Sequence, residues 1–86
     1  MHYLPNQTGC PTVDAIINEL RSARGKFPAM HSAHEGYAVL LEEMDELWDE
    51  IKTKGASIEK MRAEAIQVAA MALRTILDVV DPGVRN

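Results

Sequence analysis

An all-α domain follows from three features of this 86-residue sequence: apolar residues recur at helical spacing in three segments, serines stand where two of those segments begin, and no useful run of strand-like alternation occurs. Residues 1–11, with Pro5, Gly9 and Pro11 among polar neighbours, show no periodicity and read as an arm. Thr12 then offers a cap to a short first helix built on Val13, Ile16, Ile17 and Leu20, which Gly25 and Pro28 bring to an end. Ser32 caps a second helix over roughly 32–53, with Glu35 three residues on as in a capping box, Lys52 and Lys54 at its end, and Gly55 closing it. Ser57 opens a third over roughly 57–80, which runs without Gly or Pro up to Asp81, Pro82 and Gly83. At 1.5 Å per residue both long helices reach about 30 Å, and the short link between them predicts an antiparallel hairpin. One domain over 12–81, followed by a tail at 82–86, is the expected organisation.

Helix three is apolar on nearly every side through "AIQVAAMAL", so two packed neighbours do not cover it. Its small residues Ala65, Ala69, Ala70 and Ala72 permit close approach, and oligomerisation into a helical bundle is expected. A net charge of −4 and the absence of a basic stripe argue against nucleic acid or an anionic membrane as partner. No apolar stretch nears the roughly 20 residues that span a bilayer. Cys10 is the single cysteine, which rules out an intramolecular disulfide and fits a reducing cytoplasm.

The densest chemistry lies in "LLEEMDELWDEI", residues 40–51. At 100° per residue, Tyr37, Leu40, Leu41, Met44, Leu47, Trp48 and Ile51 form one stripe, expected to face the core. Glu42, Asp45 and Asp49 then fall on the opposite, solvated face, whereas Glu43, Glu46 and Glu50 border the stripe. On helix three, Met61, Ala65, Val68, Ala69, Ala72 and Ile76 define the expected inner face, with Glu64 at its margin and Gln67 one turn on. Two oxygen-bearing ridges can thus face each other. Like charges 4 Å apart repel by roughly 4 kcal/mol at an effective dielectric near 20, so clustering Glu43, Glu46 and Glu64 calls for a cation. An all-oxygen set suits Mg²⁺ or Mn²⁺; read without any family in mind, however, an acid-rich helix flank is more often solvated or salt-bridged.

The pattern "EEMDE" at 42–46, followed eighteen residues after Glu46 by Glu64, resembles the EExxE…ExxD signature of the MazG-like all-α nucleoside triphosphate pyrophosphohydrolases. The resemblance covers roughly residues 34–80. It implies a homodimer or homotetramer in which Mg²⁺ joins the acids to a nucleoside triphosphate, cleaved to the monophosphate and pyrophosphate. Glu43, Glu46 and Glu64 would be ligands, Glu46 also the group accepting the proton of the attacking water, and Glu42 a support. Gln67 departs from the signature, which has Asp there; an amide offers a neutral oxygen and no base. Glu50 lies on the same flank and could compensate. Lys52, Lys54 and Arg74 are candidates for phosphate contact, although surface solvation and helix-end stabilisation explain the two lysines equally well.

Other residues have plainer roles. His31, His34 and Glu35 stand at a helix start with no third histidine or cysteine near them in the sequence, Trp48 falls within the apolar stripe, and Cys10 lacks an activating neighbour. Two alternatives to an enzyme are consistent with the sequence: a noncatalytic helical interaction module in which Gln67 marks a lost site, and a regulator that binds nucleotide without turnover.

Overall fold

The computed structural model describes residues 4–83. Three helices, α1 (Pro11–Lys26), α2 (Ala33–Lys52) and α3 (Ile58–Thr75), are followed by a π-helical turn at Ile76–Val80; no strand occurs among the described residues. Helix α1 begins one residue before the expected cap. Pro11 occupies its first turn, where a missing N–H is no loss, and Cys10 precedes it without a side-chain cap bond. The arm is fastened rather than free: the Leu4 and Pro5 carbonyls accept from Arg21 Nη2 at 2.9 and 3.0 Å, and Thr8 donates through both N and Oγ1 to Asp14 Oδ1 at 2.8 Å. Residues 1–3 of the arm and 84–86 of the tail lie outside the described residues.

The two serine caps form as their positions require. Ser32 Oγ accepts from Glu35 N at 3.1 Å, and Ser57 Oγ from Lys60 N at 3.2 Å. The return bond of the first cap is displaced by one residue, because Glu35 Oε1 accepts from His31 N rather than from the cap residue's own N–H. Between α2 and α3, Gly55 turns the chain at φ +78, a region glycine enters without a Cβ clash.

Helix α3 is the centre of the packing. Helix α2 lies along it and α1 lies against it, but no Cα of α1 comes within 8 Å of one in α2. The core joins Leu20 and Ala23 of α1 to Ala70 and Met71 of α3 and to Leu77, with Val39 and Leu40 of α2 partly buried against it. Two expectations are corrected by this arrangement. The apolar stripe of α2 is not all turned inward: Gly36, Val39, Leu40, Glu43 and Leu47 meet the protein, while Tyr37 and Trp48 are 66% and 57% exposed and Leu41, Met44 and Ile51 nearly half exposed. Its apolar arc is wider than one neighbouring helix can cover. On α3 the deeply buried face is Ala70, Met71 and Arg74, while Ala65 and Ile76 are exposed. Two helices flank α3, so its most covered side lies between them, rotated from the face that hydropathy alone selects.

The third helix was expected to run unbroken to residue 80. It loosens instead at Ile76, and Asp81 N bonds to Ile76 O at 2.8 Å across five residues. The wider turn places the Leu77 and Val79 side chains and the Asp78 carboxylate inward together, three consecutive positions that a regular helix would spread over 200°. Asp78, whose side chain is 6% exposed, accepts from Arg24 Nη2 at 2.8 Å and Met30 N at 3.2 Å. Arg74 Nε approaches its other oxygen at 3.6 Å, an ion pair too long to be a hydrogen bond, and Arg74 Nη2 donates to Pro28 O at 2.9 Å.

Helix α2 meets the end of α3 at Gly36. A Cβ there would lie 2.6 Å from Thr75 Cγ2 and 3.0 Å from Thr75 Oγ1, and Thr75 is held by its bond to Met71 O at 2.8 Å. Gly36→Ala is expected to destabilise by about 1–3 kcal/mol, although alanine is the better helix former by about 1 kcal/mol. Denaturant unfolding checks the sign, and Thr75→Ser, which removes the obstructing methyl, should recover most of the loss in the double variant.

Candidate metal centre and adjoining cleft

Where α1 and α2 flank α3, with no Cα of one within 8 Å of the other, an open cleft of about 460 Å³ remains between them. Glu19, Ser22, Ala23 and Lys26, at helical spacing on α1, form one wall. Glu35, Val39, Glu42 and Glu43 of α2 form the other, and Gln67, Met71 and Arg74 of α3 the floor. Phe27 and Pro28 close the end where α1 stops. Glu19 and Glu42 bear electrostatically on Glu43, and the rest of the lining is mixed, with Phe27, Pro28, Val39 and Met71 standing among Lys26, Glu35 and Arg74.

Glu46 and Glu64 converge on Glu43, the one member of the three that lines the cleft. One carboxylate oxygen from each lies within 4.8 Å of the others; Glu43 and Glu64 are half-buried and Glu46 is exposed. Their register explains the convergence, since Glu43 and Glu46 are one turn apart on α2 and Glu64 stands on the part of α3 packed alongside. Burial raises the Glu43 carboxyl above its ordinary pKa, and the charges of Glu46, Glu64, Glu42 and Glu19 raise it further. The donor set suits a hard divalent cation: every ligand atom is a carboxylate oxygen, and the repulsion expressed at Glu43 is of the kind a cation relieves.

The remaining candidates are distributed around this point. Glu42 is exposed, lines the cleft and bears on Glu43 electrostatically. Gln67 lines the floor one turn from Glu64 but is outside the converging trio, and Glu50 lies half-buried further along α2, outside both trio and cleft. Lys52 is exposed and pairs with Asp49 at 3.3 Å, Lys54 is exposed in the link, and neither lines the cleft. Arg74 does line it, yet is 6% exposed and engaged with Pro28, Asp78 and the Phe27 ring, whose centroid is 5.8 Å from its guanidinium carbon.

Two residues of this region escaped sequence reasoning. Glu19 reads as an ordinary polar position on an amphipathic first helix, and Phe27 as a residue at a helix end; only the placement of α1 beside α3 brings them to the cleft. Compared with models of known protein families, with curated proteins and with solved structures, the chain matches none.

Proposed function

We propose that this chain is a metal-dependent nucleotide pyrophosphohydrolase, cleaving ribo- or deoxyribonucleoside triphosphates to the monophosphate and pyrophosphate in a house-cleaning role. The observation that carries the reading is the convergence of Glu43, Glu46 and Glu64, of which Glu43 also lines a cleft large enough for a nucleotide. The resemblance of "EEMDE" and Glu64 to the MazG-like signature supplies the reaction class. Glu43, Glu46 and Glu64 would hold Mg²⁺ or Mn²⁺, which when bound offsets phosphate charge and polarises the bond to be cleaved. Glu46, the exposed member, would accept the proton of an attacking water, and Glu42, which lines the cleft, would support the cluster. Gln67 contributes a neutral amide at the position of the signature Asp.

The functional unit in this reading is a homodimer or homotetramer in which the α2–α3 hairpin, taken as antiparallel, is completed into a bundle. The accessible surface of 6003 Å² exceeds the roughly 5,000 Å² expected of a 9.5 kDa monomer. The excess is on the order of the 800 Å² each partner buries in a standard interface. Tyr37, Leu41, Met44, Trp48 and Ile51, all exposed, would form the apolar centre of such an interface. Trp48→Glu is expected to shift the sedimenting species toward the 9.5 kDa monomer while leaving the helical circular dichroism in place.

The same exposed stripe favours a second reading, a noncatalytic interaction module or a nucleotide-binding regulator. The discriminating experiment is release of pyrophosphate and monophosphate from a panel of canonical and modified triphosphates with Mg²⁺ or Mn²⁺, and again after chelation. Metal-dependent release supports the enzyme. Binding without product points to the regulator, and neither binding nor release, persisting in Gln67→Asp, points to the module.

A further inference from the structure

We infer that the end of the cleft at Phe27 is a nucleobase site and that Phe27 is its stacking residue, an inference that rests on the pyrophosphohydrolase reading for the class of ligand. The distance is suitable: Glu43 and Glu35 are eight residues apart on α2, so about 12 Å of cleft wall separates the acids from the far end. A phosphate chain held at the acids directs the nucleoside along this trough, toward Phe27.

The chemistry of that end suits a flat, polar-edged ring. Phe27 is 58% exposed although it lines a concave surface, and Val39, Met71 and Pro28 supply apolar contact around it. The ring is anchored by the buried Arg74 guanidinium, itself fixed by Pro28 O and Asp78. An anchored ring loses little freedom when a base stacks on it. At the rim, Lys26 and Glu35 offer a donor and an acceptor to the edge of a base, while Ser22, between Glu19 and Lys26 on α1, is level with a sugar. Arg74 is occupied in this arrangement with holding Phe27 and does not serve as a phosphate contact.

The test pairs kinetics with metal-free binding. Base–aromatic stacking measured by alanine substitution corresponds to roughly a 5- to 150-fold effect, so Phe27→Ala should raise KM for the best triphosphate by that factor with kcat within about threefold. Phe27→Tyr should retain the wild-type KM, and thermal melts should confirm that both variants are folded. In parallel, the four 2′-deoxynucleosides are titrated into ¹⁵N-labelled wild type in EDTA. Shifts are expected at Ala23, Lys26, Phe27 and Met71. An active, folded Phe27→Ala enzyme with unchanged KM would overturn the inference and leave the enzyme standing. If the wild type turns over nothing, the pyrophosphohydrolase reading fails and the titration decides alone: cleft shifts uphold a base site, and no shift from any of the four removes it.

Discussion

Glu43→Gln is expected to act in opposite directions on activity and on metal-free stability. Loss of a mere outer-shell partner in a metal site costs about 10- to 100-fold, so loss of Glu43, half-buried and a ligand in the proposed site, should lower the metal-dependent rate by about 100-fold or more. Without metal the same change removes a carboxylate set among four others. The Glu43 pKa is raised in the folded state above its ordinary 4.5, so the folded protein holds a proton that the unfolded chain has released. Its contribution is therefore neutral below 4.5 and becomes unfavourable as pH rises through the raised folded value. At neutral pH Glu43→Gln should then stabilise the metal-free protein, by about 0.5–1 kcal/mol for a partly exposed cluster. Mn²⁺ at 100 times its dissociation constant should add about 2.7 kcal/mol to the wild type and little to the variant. Thermal melts at pH 7 with EDTA and with Mn²⁺ measure both effects; a variant less stable than wild type in EDTA would show that Glu43 is held by favourable contacts rather than opposed by its neighbours.

Asp78→Ala is expected to produce the largest loss of stability. The change leaves the buried Arg74 guanidinium without its counter-charge, and frees Arg24 and the Met30 amide of their acceptor. Breaking a buried pair from one side costs about 3–5 kcal/mol, and in a domain of this size each kcal/mol lowers the melting temperature by about 4–8 °C. A fall of more than about 10 °C should therefore be seen by circular dichroism. Removing both charges in Arg74→Met/Asp78→Leu should recover part of the loss, because the expense lies in the orphaned charge. Equal melting temperatures for wild type and Asp78→Ala would show that the network is solvated.

Much of this was legible locally. Ser32 and Ser57 announce their helices because a cap is a short-range device, fixed within four residues. The proximity of Glu43 and Glu46 is likewise a matter of one helical turn, and Glu64 joins them because a short link sets α3 beside α2. The orientation of α2 was not legible in the same way. Its apolar residues span an arc from Val39 to Trp48, and periodicity shows that such an arc exists without saying which half meets the same chain. The face of α3 was misplaced for a related reason: hydropathy favours alanines and isoleucine, whereas burial followed the two flanking helices onto a strip containing Arg74 and bordered by Gln67. Asp78 reads as an ordinary acid near a helix end, and its partners Arg24 and Met30 are 54 and 48 residues away in sequence.

Helices α1 and α2 each pack on α3, with no Cα of one within 8 Å of the other, so the molecule is mechanically a spine with two limbs. The spine includes the π-helical turn, which grips α1 through Arg24 and Asp78 and also touches α2. Softening the spine releases both limbs at once, whereas softening α1 leaves the α2–α3 contact in place. Of the three helices bordering the cleft, α1 is thus the one whose displacement changes its width without breaking the contact that gathers Glu43, Glu46 and Glu64. Amide exchange would register this as two separable levels of protection, with α1 opening first.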